Sequence, residues 1–284
     1  LPLTIALGPA VGSVVNPLPI ASAVVLCLYV ASAWLHLRAG YRDQPAPRAS
    51  RVTALAGLVL HGAALGYEAV FTSVVPGFAE SLSAVGFGVM AAYAWVDRRR
   101  VHSLGMYLAP VGSVMVAASM LAPSPKVTAL AELGASWWLP VHLGLVFAAI
   151  AAFCLEFVVG LAQLVVRRRL KRKQLGGLAR FPSLETLDRI QLRSLLFGLG
   201  CLALGILAGG MWAASTLREA WWFDPKVLFT AMIWVWYAGS LGVRLTAGWH
   251  GRWSMVLSLL GFLGLIFSVF GFDFVTAGFH AYGG

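Results

Sequence analysis

The stretch WWLPVHLGLVFAAIAAFCLEFVVGLAQLVVRRRLKRK (137–173) decides the class of this protein. Between Trp137 and Val166 only His142, Glu156 and Gln163 are strongly polar, and the run then closes on Arg167, Arg168, Arg169, Lys171, Arg172 and Lys173. About 20 apolar residues cross the hydrocarbon core of a bilayer, so this run is long enough to span one, with a basic cytoplasmic end. The same alternation of apolar run and basic cluster extends in both directions. Breaking the chain at its charge clusters predicts eight transmembrane helices, at 17–38, 51–75, 80–96, 101–122, 138–166, 189–213, 226–247 and 253–276. Helices satisfy their own backbone hydrogen bonds in lipid, and the alternating pattern of barrel strands is absent, so the expected fold is an all-α integral membrane protein.

The composition agrees. Of 284 residues, 60% are hydrophobic and 11% charged, too little charged surface for a large soluble domain, so residues 1–284 read as one polytopic membrane domain. Residues 1–16 are apolar but lack a basic leading segment, and Asn16-Pro17 favours a turn, so no cleavable signal is read there. The cysteines Cys27, Cys154 and Cys201 all lie in apolar stretches without C-x-x-C spacing, which excludes a zinc site, a thiol-disulfide relay and covalent c-type haem attachment. The net charge of +10 is spent beside the spans, where it orients them in the bilayer; nucleic acid is not an expected partner. No P-loop, dinucleotide fingerprint or nucleophile elbow supports a soluble enzyme. Counted loop by loop, eighteen of the twenty-one Lys and Arg residues fall on one side, and only Lys126, Arg218 and Lys226 fall on the other. The positive-inside rule then places both termini on the outer (periplasmic) side and the odd-numbered loops in the cytoplasm. The basic connector leads into FPSLETLD (181–188), whose Pro182-Ser183 and early acids Glu185 and Asp188 suit a helix start before span six.

This topology sorts the six histidines. His36, His102 and His250 fall at cytoplasmic helix ends or in a cytoplasmic loop, as interfacial residues do. His142 lies ~38 Å of helix before Arg167, at the outer interface, and His280 clears the membrane on the same side, twenty-eight residues beyond Arg252. His61 is ~15 Å into span two, near the midplane, where its ring nitrogens need a Ser, Tyr, backbone carbonyl or metal as partner. Glu156, about 21 Å below His142 along span five, is the other deep ionisable residue, and is neutral, paired or beside a wet crevice.

Between the two outer histidines the segment MWAASTLREAWWFDPK (211–226) forms a tryptophan-rich outer loop. Trp212, Trp221, Trp222 and Phe223 sit at the rim of spans six and seven, where aromatic belts occur. Pro225 suits the first position of span seven and Asp224 can cap it, which makes the aromatic shelf rigid. Flat aromatic side chains beside two imidazoles suit a flat, apolar, iron-bearing ligand, with the rings stacked on the macrocycle and the histidines on the metal.

The segments WWLPVHLGLVFAAIAAFCLEF (137–157), GGMWAASTLREAWWFDPKVLFTAMIWVWYAGSLGVRL (209–245), GWHGR (248–252) and FGFDFVTAGFHAYG (270–283) resemble the cytochrome c assembly family of haem-handling membrane proteins, which includes CcsA, CcmC and CcmF. Length and span count resemble its HemX/YpjD-like branch. The family's pattern near W-G-x-x-W-x-W-D-P-K-E is similar to Leu217 through Val227. Here Leu217-Arg218 stands for Trp-Gly, Phe223 for the last tryptophan and Val227 for the final glutamate. The family's transmembrane histidine before T-R-L is absent from Gly242-Val243-Arg244-Leu245, whereas His61, in LVLHGAALGYE, resembles a second-span histidine of the HemX/YpjD branch.

The resemblance implies a haem-binding protein of cytochrome c biogenesis, holding non-covalent haem b at the outer face. His142 and His280 are then the axial ligands of the haem iron, with Trp212, Trp221, Trp222 and Phe223 as stacking surface. Asp224 fixes the loop, Lys226 or Arg218 pairs with a propionate, and His61 offers a different inner ligand. The chain is not expected to catalyse bond formation alone; it is read as a component of a cytochrome c haem lyase or synthase system. Implied partners are haem, apocytochrome c, a CcsB/ResB-like membrane protein and the lipid bilayer. Two other readings are a HemX-like regulatory or stabilising subunit without haem transfer, and a b-type electron carrier with haem at His61.

Overall fold

The computed structural model describes residues 18–42, 44–71, 77–98, 101–122, 137–173, 181–216, 221–246 and 252–268. Among these residues all regular structure is helical. The helices are α1 (Leu18–Tyr41), α2 (Arg48–Phe71), α3 (Phe78–Arg98), α4 (Gly105–Leu121), α5 (Trp138–Lys171), α6 (Leu184–Thr216), α7 (Pro225–Thr246) and α8 (Arg252–Ile266). Short 3-10 turns at His102–Leu104 and Trp221–Phe223 lead into α4 and α7. The first seven helical segments are long and apolar enough to cross a membrane, and α8 is a shorter apolar helix. The chain is a multi-pass membrane protein, as its hydropathy predicts. The expected end of the eighth span, 269–276, lies outside the described residues, as do residues 1–16, Arg218, His250 and His280.

Most helix limits have local causes. Pro45 and Pro47 stand between α1 and α2, and Ser50 donates to the Pro47 carbonyl at 2.7 Å. The expected start before span six is a Ser183 cap: its Oγ accepts the Thr186 amide at 3.2 Å, and α6 begins at Leu184. One boundary differs from expectation. Met211–Thr216 continues α6 rather than opening the outer loop, because this Ala-containing segment has no Gly or Pro after Gly210 to stop it. With 34 and 33 residues, α5 and α6 are each ~50 Å long, well beyond the ~30 Å hydrocarbon core.

Two groups of four helices result. In the first, α1 packs on α2 and α4, and α3 on α4; in the second, α5 packs on α6 and α8, with α7 against α6 and α8. The α5–α6 contact is the most extensive, and α3 against α5 joins the groups. Tyr29, Met90, Tyr93, Leu104 and Leu108 are fully buried in the first group, and Phe153, Leu202, Tyr237 and Leu265 in the second. Phe153 and Tyr237 stack with centroids 3.8 Å apart.

Polar groups in the first group are bonded across helices. His61 meets the Tyr29 hydroxyl through Nδ1 at 3.3 Å and the Ser83 hydroxyl through Nε2 at 2.9 Å, tying α2 to α1 and α3. At the basic end, buried His36 meets the Tyr93 hydroxyl at 3.0 Å, and Asp97 accepts from Arg51 at 2.9 Å and from His102 at 2.5 Å. His36 fits only because Gly105 has no side chain: a Cβ there would lie 2.5 Å from the imidazole and 2.8 Å from Tyr93. Gly66 on α2 faces open space, with nothing within 4 Å of an added Cβ. Gly105→Ala is therefore expected to cost about 1–3 kcal/mol by overpacking and to lower the melting temperature in detergent. Gly66→Ala is expected to leave it unchanged or raise it, since Ala is the better helix former by roughly 1 kcal/mol.

Candidate functional site at the end opposite the basic loops

His142 sits one turn into α5, at the end of the bundle away from Arg167–Lys173. Its Nδ1 donates to the backbone carbonyl of Gly205 on α6 at 2.7 Å. A carbonyl can only accept, so Nδ1 carries the proton and the ring's lone pair is on Nε2. A hydrogen bond of this kind fixes the ring and tautomer of a histidine that ligates a metal. The ring also needs Gly209, where an added Cβ would lie 2.6 Å from Nδ1.

The next residue of α6 seats an aromatic side chain in the same way. A Cβ on Gly210 would lie 2.9 Å from the Trp221 ring, so the 3-10 turn before α7 docks on α6 through this indole. His142 and Trp221, remote in sequence, thus meet adjacent glycines of one helix. Trp222 packs edge-on to Trp221 at 5.6 Å between centroids, and Phe223 follows at 6.4 Å. Trp222 and Phe223 are 54% and 71% exposed, so their faces are open to a ligand or to lipid. Trp137 and Trp138, their ring centroids 3.7 Å apart and planes tilted by 30°, mark the start of α5 at the same end.

Trp212 departs from the expected shelf. It lies on α6, is buried, and its indole N–H has no hydrogen-bond partner among the described residues. It shares a helical face with Gly205 and Gly209, seven and three residues earlier, the face that seats His142. Asp224 does cap α7, as the residues suggest: its Oδ1 accepts the amides of Lys226 at 2.8 Å and Val227 at 3.3 Å. Its own amide donates to the Trp221 carbonyl at 3.0 Å, which closes the aromatic turn onto the cap. Ser268 pairs with Thr230 of α7 at 2.8 Å, pinning the chain after α8 to α7 nearly two turns below this cap.

The structure therefore brings His142, Trp212, Trp221, Trp222, Phe223 and Asp224 to one end, while His280 lies outside the described residues. His61 belongs to the first helix group, with a protein partner on each ring nitrogen, so ligation there would break one of those bonds. The seat formed by Gly205, Gly209 and Gly210 was not anticipated; the GG pair at 209–210 was its only sequence signal. The Arg51–Asp97–His102 cluster was also missed, although Asp97 is the sole acid beside Arg98, Arg99 and Arg100.

A family model described as "Cytochrome C assembly protein" matches residues 19–280. The cytochrome c biogenesis protein CcsA of Prochlorococcus marinus (strain MIT 9312) is 30% identical over 168 residues, 52% of this chain and 54% of that protein, so the match spans about half of that relative. The CcsA proteins of Guillardia theta and Gloeobacter violaceus are 25% and 26% identical over 72% and 68% of this chain, and over 74% and 72% of their own lengths. With the matched family model spanning nearly all of its helices, the chain belongs to the cytochrome c assembly protein family.

Proposed function

We propose that this protein holds haem at the end of the bundle opposite its basic loops and presents it for attachment to apocytochrome c. The observation that carries the reading is the His142 Nδ1 to Gly205 carbonyl bond, which leaves the imidazole lone pair on Nε2, as an axial iron ligand requires. Family membership and the names of the relatives, cytochrome c biogenesis proteins, support the same assignment. His280 is the proposed second ligand; the chain that leads to it leaves from Ser268, which is pinned to α7 beside the site.

The residues fit such a cargo. Trp221, Trp222 and Phe223 offer apolar aromatic surface, Trp212 is buried on the α6 face that seats His142, and Asp224 holds the turn rigid. When bound, haem supplies the iron and the vinyl groups that cytochrome thiols attack. This chain's residues bind and orient it, and the absence of a C-x-x-C-H segment keeps the haem, of b type, non-covalent. The thiols come from apocytochrome c, and we assign a CcsB/ResB-like membrane protein as the partner that presents them. Positive-inside orientation puts this end on the periplasmic face of a bacterial cytoplasmic membrane, with both termini outside.

His61 is the weaker candidate for a ligand, because Tyr29 and Ser83 engage both of its nitrogens. Visible spectra of the detergent-purified, haem-supplemented protein, oxidised and reduced, separate the readings. A six-coordinate b-type spectrum is expected for the wild type and for His61→Ala, and its loss for His142→Ala and His280→Ala. Loss with His61→Ala alone would instead place an electron-carrying haem inside the membrane. A colourless wild type would overturn haem handling in favour of a HemX-like regulatory subunit.

The seat on α6 makes a second prediction. Gly209→Ala should displace the His142 ring and weaken haem binding roughly 10–100-fold, as loss of a ligand's supporting contact does. Gly200→Ala, on the same helix with nothing within 4 Å of its Cβ, should bind haem as the wild type does in the same titration.

A further inference from the structure

The second helix group contains a polar cluster far from the haem-handling end. Glu156, fourteen residues beyond His142 on α5, is 1% exposed. Its Oε1 is contacted by Gln191 Nε2 of α6 at 3.3 Å and by the Ser258 hydroxyl of α8. Gln163 of α5 donates to Gln191 Oε1 at 3.0 Å, which fixes the orientation of the Gln191 amide. Toward the basic end, Arg244 of α7 donates through Nη2 to Asp188 Oδ1 at 2.7 Å and to the Asp188 carbonyl at 3.0 Å. Tyr237 of α7 stacks on Phe153, three residues before Glu156 on α5, and Asp188, which holds Arg244, is three residues before Gln191, which holds Glu156.

Two features of this cluster point to a ligand. The first is a set of open valences. Glu156 Oε2, Arg244 Nη1, the Tyr237 hydroxyl and the Ser194 hydroxyl, which is one turn along α6 from Gln191, are all buried without a partner among the described residues. A donor-only pocket would suit an anion and an acceptor-only pocket a metal cation. Here a guanidinium donor, a carboxyl acceptor and two hydroxyls that do either are left open on α5, α6 and α7, and that mixture suits water, which needs two to four partners of both kinds.

The second feature is a proton count. The Ser258 hydroxyl has one hydrogen, and it also approaches the Ser254 carbonyl of its own helix at 2.8 Å. If that hydrogen goes to Ser254, the close contact with Glu156 must use a proton carried by Glu156. Charge balance agrees: Arg244 neutralises Asp188, and a second carboxylate in the apolar interior would stand uncompensated.

We propose that Glu156 is an exchangeable proton site in a hydrated pocket between α5, α6 and α7, supplied with water from the Asp188–Arg244 end. Hydronium gives its proton to the Glu156 carboxylate, leaving a carboxylic acid and water, and release is the reverse step. Glu156 is contacted by Gln191 of α6 and Ser258 of α8, Gln163 of α5 holds Gln191 in turn, and Asp188, Ser194, Tyr237 and Arg244 are the further polar groups on α6 and α7. On α3, Asp97 is engaged with Arg51 and His102. The partly exposed Asp188 opens the cluster toward the basic face.

Infrared spectroscopy of the full chain in lipid nanodiscs at neutral pH, in H₂O and then D₂O, tests this. The wild type should show a carboxylic acid carbonyl band that shifts on transfer to D₂O and is missing from Glu156→Gln, which keeps the shape and the Gln191 contact. Ser258→Ala should move the same band by removing its hydrogen-bond partner, an independent assignment should Glu156→Gln fail to fold. The proposal is overturned if the band is absent, if it does not shift in D₂O, if it persists in Glu156→Gln, or if Ser258→Ala leaves it unmoved.

Discussion

In the packing of α5 against α6 the carbonyl of Gly205 takes the Nδ1 proton of His142 at 2.7 Å. That bond depends on two helices approaching closely enough for an imidazole to lie against backbone, which the missing side chain of Gly209 permits. From it follow the tautomer of His142, the direction of its lone pair and the surface on which the aromatic turn is built. Gly210 extends the same surface to Trp221, and Asp224 locks the turn that carries Trp221 onto the start of α7. The site is thus a property of helix packing as much as of its loop.

The same rule, that a polar group inside the bundle must find a protein partner, gives the other deep residues different fates. In the first helix group His36 and His61 are absorbed by tyrosine and serine hydroxyls, and Asp97 by Arg51 and His102. These bonds tie α1, α2, α3 and the turn before α4 together, and their loss would leave buried groups unsatisfied at about 1–3 kcal/mol each. In the second group Glu156, Ser194, Tyr237 and Arg244 each keep a buried polar atom without a partner among the described residues.

Much of the fold was legible in the residues. Long apolar runs closed by arginine fix where helices cross, and Ser183 and Asp224 announce the helix starts that they cap. The continuation of α6 to Thr216 was hidden because Trp212 reads as a rim residue, whereas helix propensity simply carries on past Gly210. What periodicity could not show is rotation. The spans are apolar nearly all round, so nothing along the chain says which way His61, Glu156 or Trp212 faces. Their partners, Tyr29 and Ser83 for His61, Gln191 and Ser258 for Glu156, stand between 22 and 102 residues away and become evident only when the helices pack.

The central claim is that His142 Nε2 is a haem-iron ligand held by the α6 seat, and chemical rescue tests it most directly. His142→Gly removes the imidazole, leaving room at the seat for a free imidazole supplied in solution. The account predicts that the haem-loaded variant loses the six-coordinate spectrum and regains it on titration with imidazole, while the wild type is unaffected over the same range. A variant that keeps the wild-type spectrum without imidazole, or that never regains it with imidazole, would contradict the assignment.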